Sequence, residues 1–94
     1  MRLNRSKFQA WLKTKRPDEI VGKQRSPSCP IVNFYLDATG GHETIIFERF
    51  GEYHMDRGDG GRRLPAWAEQ FVAAVDGNET PKITATRALE ILAA

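Results

Sequence analysis

One cysteine, Cys29, and two histidines, His42 and His54, are the side chains best suited to nucleophilic or metal chemistry. Cys29 directly precedes Pro30. If that proline opens a helix, the thiol sits at a helix N-terminus, where the dipole favours a thiolate. His42 or His54 would then have to serve as its base. No third residue is marked to orient such a pair, and a free cysteine more often packs as a small apolar side chain. Metal binding would need Cys29, His42, His54 and a carboxylate such as Asp56 to converge without any closely spaced ligand pair. The segment Asp56-Arg57-Gly58-Asp59-Gly60 has a superficial likeness to a calcium loop. Its acidic spacing is wrong, and Trp67 stands at the twelfth position. The expectation is no catalytic residue, no metal and no cofactor.

Anion recognition is the other chemistry on offer. Arg57, Arg62 and Arg63 flank Gly58-Asp59-Gly60-Gly61, a run whose backbone N–H groups could wrap an anion. It lacks the lysine of a phosphate-binding loop. The tripeptide Arg57-Gly58-Asp59 matches a cell-adhesion signal, which an intracellular chain would not use, and a flexible connection is the plainer reading. A second basic set lies at the N-terminal end: Arg5, Lys7, Lys13 and Arg16, followed by Lys23 and Arg25. Residues 1–25 carry eight Lys/Arg against two Asp/Glu, a net of +6, and the remaining residues carry six against ten, a net of −4. Opposed fields of this kind orient an encounter with a charged partner.

These side chains are positioned by a short series of elements. Phe8, Trp11 and Leu12 share one face of a helix spanning 4–15, capped by Asn4 or Ser6 and stopped by Pro17. Lys15 lies near that stripe and can run its stem along it. Glu19–Gly22 reads as a short strand. Pro30 suits a first helical position, so Ile31–Leu36 reads as helix ending near Gly40-Gly41, against a rival strand reading from its β-branched and aromatic content. Thr44–Phe50 is the best strand, continuing through Glu52–Asp56 after a hairpin or bulge at Gly51. Residues 57–62 read as loop. Leu64–Val75 is a helix with Trp67, Phe71 and Val75 in its core face, ended by a left-handed Gly77. Thr84 caps a last helix bearing Ala85, Ala88, Leu89 and Leu92. The two final helices are joined by too long a segment for a helix-turn-helix.

The order α-(β)-α-β-β-α-α predicts a single α+β domain over 1–94: a small antiparallel sheet of two or three strands packed against three or four helices. With 94 residues, 40% hydrophobic and 28% charged, the composition is that of a folded globule. No run of about 18 apolar residues exists, so no membrane span or membrane partner is expected. A lone cysteine and no signal-peptide pattern point to the cytoplasm. An enzyme is the least favoured class, for want of catalytic motifs and room for a deep pocket. The favoured reading is a non-enzymatic protein-binding module, an adaptor or inhibitor of a larger assembly that meets an acidic protein surface. Phage-type inhibitors of host nucleic-acid machinery share this size class. The alternative is a nucleic-acid-binding protein using the basic N-terminal helix and loop. One exposed Trp or Tyr would supply the interface anchor.

Overall fold

The structure, a computed structural model, describes residues 3–25, 27–41 and 43–94. Arg2, counted in the N-terminal charge, and His42, considered as base and ligand, lie outside the described residues. Helix α1 (Arg5–Lys13) is capped by Asn4, whose side chain accepts from the Lys7 N–H at 3.0 Å. It stops earlier than its periodicity suggests. Thr14 turns its hydroxyl back to the Trp11 carbonyl at 2.6 Å, leaving Lys15 outside the helix. Strand β1 (Ile20–Lys23) then passes tightly under the start of helix α2 (Pro30–Thr39). A Cβ on Gly22 would stand 2.6 Å from both the Pro30 nitrogen and the Ser28 carbonyl, so glycine is required for this approach. Asn33 adds a tie from α2 to the Val21 carbonyl at 2.9 Å.

Helix α2 settles the ambiguity over Ile31–Leu36 in favour of helix. It buries Ile31, Val32, Phe34 and Tyr35 together, which an alternating strand could not do from one face. Strands β2 (Ile45–Arg49) and β3 (Glu52–Asp56) form a hairpin with Arg49 opposite Glu52. Strand β4 (Arg62–Arg63) pairs with β3, so Arg62 belongs to a strand and not to the preceding loop. The loop itself is ordered by two carboxylates. Asp56 Oδ1 accepts from the Gly58 N–H at 2.8 Å, and Asp59 Oδ1 from the Gly61 N–H at 3.2 Å.

Leu64 continues the extended chain and donates its N–H to the Tyr53 carbonyl, so helix α3 (Ala66–Asp76) starts two residues later than its apolar pattern implies. Gly77 follows with φ of −92°, not the left-handed turn expected of it. Strand β5 (Lys82–Thr84) pairs antiparallel with β1, and Thr84 caps helix α4 (Ala85–Ala93) by accepting from the Arg87 N–H at 3.1 Å. The fold is α+β with antiparallel strands. Among the described residues its strands form two sheets, β1-β5 and β2-β3-β4, rather than one. The four helices and both sheets contribute to one hydrophobic cluster. Phe8 is its aromatic hub, with the rings of Phe71, Phe34, Trp67 and Trp11 at 5.0, 5.4, 5.9 and 6.1 Å. No described helix is long and apolar enough to cross a membrane.

Candidate protein-docking site

The hairpin between β2 and β3 turns on only two residues, Phe50 and Gly51, with φ of 53° and 76°. Two-residue loops of this kind favour asparagine, aspartate or glycine, because both central positions need positive φ. A phenylalanine there is strained, and its side chain is 92% exposed. Arg49 sets its guanidinium against the ring, 5.6 Å from the centroid. Ile45, at the other end of β2, is 49% exposed, and Ile20 on β1 is 46% exposed. The exposed large aromatic among the described residues is a phenylalanine, while the tryptophans and tyrosines that could have served as anchors pack in or against the core. Trp11 and Trp67 are half-buried against the core, and Trp11 donates its indole N–H to Asp37 at 3.0 Å. The only sequence signal for Phe50 was its place before Gly51, where a strand end and a turn position look alike.

The basic residues of the first quarter are dispersed. Arg5 donates to the Leu92 carbonyl at 2.6 Å and so ties α1 to the end of α4. Lys7 and Lys13 are exposed. At 100° per residue they stand about 120° apart around α1, too far to form one stripe. Lys15 lies over the Trp11 ring at 4.8 Å and pairs with Asp37 at 3.7 Å. Arg16 reaches Glu19 at 4.0 Å. Lys23 is directly opposite Lys82 in the β1–β5 pair. Arg25 has φ of 68°, held by a bond from its N–H to Asp76 Oδ1 at 3.0 Å.

Arg57, Arg62 and Arg63 do converge, around a cleft of about 370 Å³ floored by Leu3, Met55 and Leu64. Their charges are engaged within the molecule. Arg62 pairs with Asp59 at 3.3 Å, and Arg63 with Glu52 at 2.7 Å and Glu69 at 3.2 Å. The Arg57 guanidinium lies over the Tyr35 ring at 5.6 Å. Hydrogen bonds from the Arg63 side chain and the Tyr53 N–H hold the Glu69 carboxyl below its usual range. This cluster braces β3, β4 and α3 against one another.

No protein-family model matches this chain, and no curated protein or solved structure is significantly similar to it. The chemistry of the site therefore rests on its residues alone.

Cys29 occupies the position before α2, with no side-chain capping bond. The N–H groups of Ile31 and Val32 favour its thiolate, but burial outweighs them and pushes the thiol from 9.0 up to about 11. It is 1% exposed. Alkylation of the native protein near neutral pH is expected to be slow, limited by local opening, and rapid labelling would contradict this burial. The folded thiol holds its proton more tightly than the unfolded one. Its contribution to stability is thus complete below about pH 9 and is lost as pH rises toward 11. His54 stacks on Phe47 at 5.4 Å, and its Nδ1 is buried without a hydrogen-bond partner among the described residues. Among those residues, no three His, Cys, Asp or Glu side chains gather as metal ligands would.

Proposed function

We propose that this chain is a small non-enzymatic protein-binding module, an adaptor or inhibitor working in the cytoplasm, with Phe50 as its anchor. The observation that carries this reading is a strained, 92% exposed aromatic at a hairpin tip. Folding alone disfavours its backbone conformation and gains nothing from its exposed ring, whereas insertion into a partner's pocket would bury that ring. Interface anchors of this type contribute about 2 kcal/mol or more to binding. Arg49 beside the ring favours an acidic group at the rim of that pocket. The net +6 of residues 1–25, spread over α1 and the segment after it, adds a long-range field that steers an acidic partner rather than a contact at the pocket.

A second reading, nucleic-acid binding, draws support from Lys23 facing Lys82 across the β1–β5 pair. Like charges directly opposite destabilise a sheet, and a polyanion would relieve them. The two readings separate in a recovery experiment from native extract, with and without nuclease. The wild type is compared with Phe50→Asn and with a charge reversal at Lys7, Lys13 and Arg16. A stoichiometric protein retained after nuclease and reduced at least tenfold by Phe50→Asn is the expected result. The charge reversal should then slow association while leaving dissociation near wild type. Recovery that disappears with nuclease and ignores Phe50 would favour nucleic acid. In that case log–log salt dependence should lose about 1 unit of slope in the charge-reversed protein, since Lys7 and Lys13 do not share one face and Arg16 is turned to Glu19.

A further inference from the structure

At the far end of the β2–β3 hairpin from Phe50, a groove of about 850 Å³ opens between α2 and the strand ends. Its apolar lining includes Val32, Leu36 and Ile45, and Glu43, Asp56 and Arg57 are also in its wall. The Arg57 guanidinium is turned over Tyr35. Two carboxylates and one engaged arginine leave the groove net negative. The tip has the complementary composition: an apolar ring with a guanidinium resting on it. Glu48 is one residue from Arg49 along β2 and so points to the opposite face of the strand. Glu52, directly across from Arg49, has its carboxylate drawn to Arg63 at 2.7 Å.

Knob and groove lie at the two ends of one strand. From Ile45 to Phe50 the chain advances about 17 Å at the usual strand rise. Two copies placed with their β2 strands antiparallel, related by a two-fold axis near Phe47, bring each Phe50 to the other's Ile45. A two-fold contact of this kind is closed and self-complementary, unlike a head-to-tail contact that would run on into a filament. We propose that the groove receives Phe50 and Arg49 of a second copy of this chain, reciprocally, in a two-fold dimer. The proposal rests on the reading of Phe50 as a protein-docking anchor and names one occupant for the groove that matches it.

Sedimentation equilibrium over a wide concentration range tests it, using wild type, Phe50→Asn and Ile45→Glu. Asparagine suits the turn, and Ile45 is half exposed, so both variants should fold; circular dichroism checks this. Wild type is expected to approach twice the 10.6 kDa of one chain as concentration rises. Each variant should raise the dissociation constant at least tenfold. An equimolar mixture of the two variants should recover part of the association. The Ile45→Glu chain keeps its knob and the Phe50→Asn chain keeps its groove, which restores one of the two contacts. A wild type that stays monomeric throughout, a dimer indifferent to Phe50→Asn, or a mixture no better than its components would overturn the proposal. A monomeric wild type that still recovers a partner through Phe50 would leave the broader anchor reading intact. Loss of neither dimer nor partner in Phe50→Asn would remove both.

Discussion

Phe8→Ala is expected to lower the melting temperature by roughly 12–40 °C, taking about 4–8 °C for each kcal/mol in a domain of this size. Phe8 is fully buried and touches four other aromatic rings contributed by α1, α2 and α3. Truncating such a ring removes its transfer free energy and leaves a cavity that its neighbours cannot collapse to fill, together about 3–5 kcal/mol. Small domains often hold little more than that in total. Trp67→Ala is expected to cost less. Trp67 falls on the apolar face of α3, yet it packs at the margin of the cluster and is half-buried. Thermal melts of the two variants, followed by circular dichroism, give the comparison. A Phe8→Ala melt no lower than that of Trp67→Ala would displace Phe8 from the centre of the core.

Phe50→Asn should have the opposite sign: greater stability and lost binding in one substitution. A non-glycine residue in the left-handed region is strained by about 1–2 kcal/mol, and asparagine is among the few that tolerate it. Against this stands the exposed contact with Arg49, about 0.5–1 kcal/mol. The balance favours asparagine, so the denaturation midpoint should rise while partner recovery falls at least tenfold. At protein concentrations low enough to keep both chains monomeric, a lower midpoint would mean that folding itself needs Phe50, and the strain would then say nothing about function.

Helices with local signals were legible from their residues. Asn4 capping α1, Pro30 opening α2 and Thr84 capping α4 are all decided within a few positions, and the structure contains each of those helices. The pairing of strands was not legible. Lys82-Ile83-Thr84 has too few residues to show a period, and its partner Ile20–Lys23 lies some sixty positions earlier. Arg62–Arg63 became a strand because β3 offered its edge, which no property of two arginines announces. The docking site was hidden for a related reason. Whether Phe50 ends a strand or makes a turn depends on the register of Arg49 with Glu52, a property of two strands together. The arginines near the glycine-rich loop were visible as charges, but not the carboxylates Glu52 and Glu69 that engage Arg63.

The bond from Arg5 to the Leu92 carbonyl and the pairing of β1 with β5 join segments from opposite ends of the chain. Such contacts raise the contact order, and the entropy of closing so long a loop must be met before they stabilise anything. During synthesis, Phe8 and Leu12 would leave the ribosome long before α4 arrives to cover α1. Until then Phe34 of α2 and Trp67 and Phe71 of α3 are available to cover Phe8, but the side of α1 that meets α4 would stay open.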